Sequence, residues 1–88
     1  MTRYRIDFTV KARKQLGAIA EPHRTRIVRA VEALAVQPRC QGVEKLTGHE
    51  NLYRIRVGGY RVIYAIHDQI VTVSVTAVGR RGSIYDRL

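Results

Sequence analysis

The dipeptide Gly58-Gly59 lies between two segments in which apolar and polar residues alternate, Leu52 to Val57 and Tyr60 to Ile66. Glycine takes positive φ without steric cost. A two-residue glycine link between runs rich in Val, Ile and Tyr therefore predicts a tight β-hairpin. A tight turn also fixes the register. Val57 should lie opposite Tyr60, Arg56 opposite Arg61, Ile55 opposite Val62, and Tyr53 opposite Tyr64. One face of the hairpin then carries Tyr53, Ile55, Val57, Tyr60, Val62, Tyr64 and Ile66, an apolar surface that must be covered. The other carries Arg54, Arg56 and Arg61.

The remaining segments supply the cover. Tyr4, Ile6 and Phe8 alternate with Arg3, Arg5 and Asp7, the pattern of a half-buried strand. Thr9 is placed to cap a helix whose apolar stripe is Ala12, Leu16, Ile19 and Ala20. Glu21-Pro22 breaks that helix and starts a second, with Ile27, Val31, Leu34 and Ala35 as its stripe. Gln37-Pro38 ends it. After a loop (Arg39 to Gly42) and a short apolar-polar stretch (Val43 to Leu46), the hairpin follows, then a strand from Ile70 to Val78. With Asp68-Gln69 as its turn, that strand adds Val71, Val73, Val75 and Ala77 to the apolar face and Ser74, Thr76 and Val78 to the arginine face. The expected fold is α+β, of order β-αα-βββ, with a two-helix hairpin packed on one face of a mainly antiparallel sheet.

Eighty-eight residues are expected to form a single domain, residues 1–88, near the lower limit for folding without disulfides or metal. Such a chain has no room for a deep enclosed pocket, so its chemistry belongs on an open face or in a shallow groove. Cys40 is the only cysteine, which excludes an intramolecular disulfide and a paired-cysteine metal site. No apolar run approaches a membrane span, and the N-terminal residues lack the apolar region of a secretion signal. A cytoplasmic protein is the expectation.

Sixteen Lys and Arg against seven Asp and Glu give a net charge of +9, and only Lys11, Lys14 and Lys45 are lysines. A balance of this size favours nucleic acid, an anionic membrane or an acidic protein as partner. Arginine narrows the choice, because a planar guanidinium grips phosphate in two-pronged fashion and lysine does not. Arg56 opposite Arg61 sets like charges against each other on one sheet face, a cost of up to roughly 1 kcal/mol. Three arginines converging with Arg80 and Arg81 beyond the last strand indicate a site for a polyanion.

These same residues carry a family resemblance. Asn51-Leu52-Tyr53-Arg54-Ile55-Arg56-Val57, then Gly59-Tyr60-Arg61-Val62-Ile63-Tyr64, then Val78-Gly79-Arg80-Arg81 with Ile84-Tyr85, resemble the RelE/ParE toxin superfamily over essentially the whole chain. The Gly-Tyr-Arg-x-x-Tyr hairpin is common to the superfamily and speaks to the fold. Val-Gly-x-Arg followed by a tyrosine resembles the RelE branch, whose members cleave mRNA in the ribosomal A site. The resemblance implies a toxin that acts on mRNA and ribosomes and is held inactive by a RelB-like antitoxin, with no metal, no small-molecule cofactor and no membrane partner. It implies catalytic roles for Arg61, Arg81, Tyr85 and Arg56, and RNA-binding roles for Arg54, Arg80 and Thr76. In that family the RNA 2′-hydroxyl attacks the adjacent phosphate, giving a 2′,3′-cyclic phosphate and a free 5′-hydroxyl. Where the family usually has lysines, this chain has Arg54 and Arg56, and an arginine stays protonated and cannot act as base. Tyr85 is the remaining candidate, as base or as the group that stacks on the nucleotide. With three residues given after Tyr85, no long C-terminal helix is expected.

Other groups fit less well. His67 comes near His49 at the open end of the hairpin, but strand parity sends the two to opposite faces. His67 also lies six residues from Arg61, roughly 20 Å at the rise of a strand. His23, early in the second helix, is expected at the surface. Tyr53, Tyr60 and Tyr64 share parity with the core, so packing outweighs a base-stacking platform. Cys40 has no histidine at catalytic spacing, and Glu44 and Glu50 read as isolated carboxylates. Two other functions use the same scaffold: a ParE-like inhibitor of DNA gyrase without nuclease activity, and a non-catalytic RNA-binding module.

Overall fold

The structure, a computed structural model, describes residues 3–40, 42–46, 48 and 51–80. Its elements run β1 (Arg5–Phe8), α1 (Val10–Gly17), α2 (His23–Ala33), β2 (Glu44–Lys45), β3 (Leu52–Val57), β4 (Tyr60–His67) and β5 (Thr72–Arg80). The strands form one sheet in the order β1-β5-β4-β3-β2, in which β1 runs parallel to β5 and the other neighbours are antiparallel.

Local chemistry sets the helix limits. Thr9 caps α1, its hydroxyl accepting from the Ala12 amide at 3.1 Å. Ala12 and Ile19 are buried, while Ala20, placed on the stripe by its spacing, is exposed because α1 stops at Gly17. At the start of α2 the cap comes from the preceding residue: the Glu21 carboxylate accepts from both the amide and the hydroxyl of Thr25. These bonds hold the Glu21 carboxyl below its usual range. Ile27 and Val31 of α2, with Leu34 and Ala35 just beyond it, are buried as expected.

The helices cover one face of the sheet, and the core lies between the two layers. It joins Ala12, Ile27, Val31 and Leu34 to Ile55, Val62, Tyr64, Ile66, Val73 and Val75, with Tyr53, Val57 and Tyr60 at its margin. Tyr64 is completely buried, and its hydroxyl donates to the Pro38 carbonyl at 2.7 Å. Burial pushes that phenol's pKa up. The tyrosines therefore pack, as their parity requires.

The β3–β4 register is the one the glycine turn dictates, from Val57↔Tyr60 through Arg56↔Arg61 and Ile55↔Val62 to Tyr53↔Tyr64. Gly58 has φ +62 and Gly59 is not in the positive-φ region, the pattern of a type II′ turn, with a single left-handed residue at its first position.

The next connection differs from expectation. Asp68–Ile70 form a turn of 3-10 helix, closed by Val71 in the left-handed region. β5 therefore pairs two residues further along than a two-residue turn would give, Tyr64↔Val75 in place of Tyr64↔Val73. A shift of two keeps side-chain parity. Parity then changes at Thr76, where a bulge adds one residue to β5, so that Ile63 pairs with Ala77 and Val62 with Val78. Val78 turns into the main core and Ala77 to the other face, the reverse of the assignment that strict alternation gives.

The fifth strand, β2, was foreshadowed only as the stretch Val43 to Leu46. Its two residues pair with β3 as Glu44↔Arg54 and Lys45↔Tyr53. Two residues are too few to show a period.

A polar cluster joins three segments far apart in sequence. Arg39 makes a two-pronged ion pair with Asp68 (2.8 and 3.3 Å), and the Tyr4 hydroxyl donates to the same carboxylate at 2.7 Å. Arg39 also lies 5.6 Å from the centroid of the Tyr53 ring. The start of β1, the chain leaving α2 and the β4–β5 turn are thereby tied together.

Candidate nucleic-acid interface

The face of the sheet away from the helices holds the arginines of the hairpin. Arg56 on β3 and Arg61 on β4 are directly opposite each other, and Arg54 lies opposite Ile63. Their environments differ. Arg61 is 6% exposed, and Arg54 has a side chain only 13% exposed. Arg56 is exposed. A buried guanidinium is held in one geometry, whereas an exposed one is mobile and well solvated.

Arg54 forms an ion pair with Glu44, the carboxylate that appeared isolated in the sequence. The contact follows from the β2–β3 pairing, which sets Glu44 against Arg54. Part of the positive charge expected on this face is thus neutralised within the fold. The sequence signal for it was the alternation in Val43-Glu44-Lys45-Leu46, too short to fix a strand partner.

The arginine face is also less polar than expected. Ile63 is fully buried on it and Ala77 nearly so, with Leu46 and Leu52 packed against them. The arginines therefore flank a small apolar cluster instead of lining a uniformly solvated sheet.

Two further candidate residues lie on β5. Thr76 is the extra residue of the bulge, and its hydroxyl donates to the Ile63 carbonyl at 3.3 Å. Arg80 is opposite Tyr60, and its guanidinium lies 5.7 Å from the centroid of that ring. Parity after the bulge thus gives Arg80 the helix side of the strand, shared with Tyr60 and Val78, so it does not converge with Arg56 and Arg61 as the sequence pattern suggests. Gly79 takes the place opposite Arg61. Arg81 and Tyr85 lie outside the described residues, as do His49 and Glu50.

A shallow cavity of about 530 Å³ opens between α2 and the β2–β3 edge, lined by Ala30, Ala33, Cys40, Gly42, Glu44, Ile55 and Arg56. It is the groove type of site that a core of this size allows. His23 and His67 are exposed, with the His23 ring tilted at 45° to that of Tyr60 and 5.4 Å from it between centroids. Among the described residues no group of three or more His, Cys, Asp or Glu is arranged to hold a metal ion. No described helix is long and apolar enough to cross a membrane.

The helix layer is basic as well. α1 has no acidic residue, and Lys11, Arg13 and Lys14 are exposed on it; α2 exposes Arg26 and Arg29 and has Glu32 as its one acid. Positive charge thus covers both sides of the molecule.

Residues 6–85 match the family described as ParE toxin of type II toxin-antitoxin system, parDE. The chain belongs to this family of toxins, within the RelE/ParE superfamily that its hairpin motif resembles. Its individual likenesses are to RelE toxins. The mRNA interferase toxin RelE of Escherichia coli (strain K12) is 30% identical over 80 residues, 89% of this chain and 83% of that protein. Among solved structures, the archaeal RelE-RelB complex from Pyrococcus horikoshii OT3 superposes with a TM-score of 0.80 at 30% identity, over 94% of this chain and 99% of the other. The intact E. coli RelBE toxin-antitoxin complex gives a TM-score of 0.78 at 30% identity, over 88% and 95%.

Proposed function

We propose that this toxin is an mRNA interferase: a ribosome-dependent endoribonuclease that stops translation and is neutralised by a RelB-like antitoxin. The observation that carries the proposal is the Arg56–Arg61 pair, like charges directly opposed on one sheet face with Arg61 buried. Two guanidinium groups directly opposed on one face can take a phosphate between them, each donating to its oxygens.

In the reaction, the 2′-oxygen of the RNA forms a bond to the adjacent phosphorus, the bond from phosphorus to the 5′-oxygen breaks, and a 2′,3′-cyclic phosphate remains. The 2′-hydroxyl gives up its proton and the departing 5′-oxygen gains one. Negative charge builds up on the phosphorane, and guanidinium donors already in place stabilise that charge more than the ground state. Arg61 has the fixed geometry this role needs. Exposed Arg56 is suited to first contact with the phosphate, and Arg54, partly neutralised by Glu44, to electrostatic support. Thr76 is assigned to RNA binding beside this face, and Arg80, on the helix side of β5 with Tyr60, to RNA that passes the edge of the sheet. Arg81 is the group proposed at the leaving oxygen, and Tyr85 the proposed base, since no arginine can accept the proton. The chain 1–88 acts as one domain in this scheme.

Among the described residues few acid–base groups surround the arginines, so the ribosome must position the nucleophile for the rate to be useful. A cytoplasmic site of action follows from that target. The antitoxin neutralises the basic surface by adding an acidic or amphipathic segment along it.

The test is to incubate the purified chain with a defined mRNA, free and on ribosomes with an empty A site, and to map the 5′ ends. Cleavage within codons on ribosomes, with free mRNA intact, is the expected result. Inhibition of DNA gyrase with both mRNA samples intact would favour the ParE-like reading. Salt-sensitive RNA binding without cut products would leave only a binding module.

A further inference from the structure

β5 outruns its partner on one edge. β1 pairs with it only from Arg5↔Thr72 to Phe8↔Val75, so from Thr76 onward no described strand lies beside that edge. Backbone groups there need other partners. Two side chains at the start of the helix layer supply them. The Thr9 hydroxyl donates to the Thr76 carbonyl at 3.3 Å, and Gln15 Oε1 accepts from the Val78 amide at 2.8 Å. One contact is at the bulge residue itself and the other two residues beyond it.

The bulge decides which residue stands beside Arg61. Continued without it, the ladder that pairs Ile66 with Val73 and Tyr64 with Val75 would set Val62 against Ala77 and Arg61 against Val78. With Thr76 as the extra residue, Val62 meets Val78 and Arg61 meets Gly79. A branched side chain on the flank of Arg61 is thereby exchanged for none, and Val78 goes to the core, where it is 1% exposed.

We infer that Gln15 is a positioning residue for the RNA-cleaving site: by holding the Val78 amide, it locks β5 in the bulged register that puts glycine opposite Arg61. The role rests on the functional reading above. Val78 offers a donor, so its partner must be an acceptor, and the carboxamide oxygen supplies one without a negative charge. The amide nitrogen of Val78 and the side chain of Gln15 are 63 positions apart in sequence, so the contact couples helix layer and sheet directly.

The test uses the full chain with Gln15→Met, which keeps length and helix propensity but offers only a weak thioether acceptor, and Gln15→Glu, which keeps an oxygen acceptor. Two quantities are read: single-site cleavage kinetics on ribosomes, and hydrogen exchange of the Val78 amide against those of Val73 and Val75. Gln15→Met should lower kcat by about 10-fold or more with KM for programmed ribosomes changed by less than about 2-fold. The Val78 amide should lose protection while Val73 and Val75 keep theirs. Gln15→Glu should return both readouts to within about 3-fold of wild type. Lost protection at Val78 with unchanged kcat would overturn the inference. So would a fall in kcat that is accompanied by equal loss of protection at Val73 and Val75, which is the mark of general destabilisation. If the wild-type chain cleaves nothing, the functional reading fails and this role with it, and the Val78 exchange rates then report the lock alone.

Discussion

Arg54 and Arg61 are the same residue type on the same face of one hairpin, yet their surroundings give them different work. Arg54 has a carboxylate partner in Glu44, and Arg61 sits buried against the glycine side of β5. Removing the acid should therefore strengthen the basic face: Glu44→Gln is expected to tighten RNA binding at low salt and to steepen the slope of log K against log salt by about 1, read by filter binding across a salt series. A single acid also matters at the far end of the sheet. Hydrogen bonds, first from Arg39 and then from Tyr4, hold the Asp68 carboxyl below its ordinary value. A folded pKa lower than the unfolded one stabilises the protein above the unfolded pKa, and that contribution is lost as pH falls from there through the folded pKa. Thermal stability should drop as pH falls below about 4, and Asp68→Asn should reduce the melting temperature at pH 7 while flattening that acid-side drop. Equal acid sensitivity in wild type and variant would place the effect elsewhere.

At the scale of elements, the hairpin was readable in the sequence because one steric fact fixes it. A glycine turn sets the register, and the alternation of Tyr53, Ile55, Val57 with Arg54 and Arg56 agrees with it residue for residue. The turn uses its two glycines unequally. Gly58→Ala places a Cβ at φ +62 and should cost about 1 kcal/mol, whereas Gly59→Ala should be nearly neutral, since neither position has a neighbour within 4 Å to clash with. Denaturant midpoints for the two variants check the difference. What the sequence did not reveal has the opposite character. The bulge at Thr76 interrupts a run of Val and Thr with no glycine or proline to mark it, and it depends on Thr9 and Gln15 from another layer. The β2–β3 contact likewise depends on the path of a loop, and with it the Glu44–Arg54 pair. Register set by a local turn is legible; register set by tertiary contacts is not. Arg81 and Tyr85 are a third case, known only through family resemblance.

For the whole molecule, the charge of +9 is spread over both layers, and the two sides contribute differently. In the proposed reaction, exposed lysines and arginines of the helices act at long range and set how fast the polyanion is approached, while buried Arg61 holds a fixed position at short range and exposed Arg56 makes the first contact. The central claim is that this hairpin face stabilises the transition state of RNA cleavage. It is tested most directly by single-turnover cleavage of a defined mRNA on programmed ribosomes, comparing wild type with Arg61→Ala, with the product ends identified and ribosome binding measured in parallel. Wild type should give a 2′,3′-cyclic phosphate and a 5′-hydroxyl, and Arg61→Ala a rate lower by about 100-fold with ribosome binding little changed. Cleavage by Arg61→Ala at the wild-type rate would contradict the central claim.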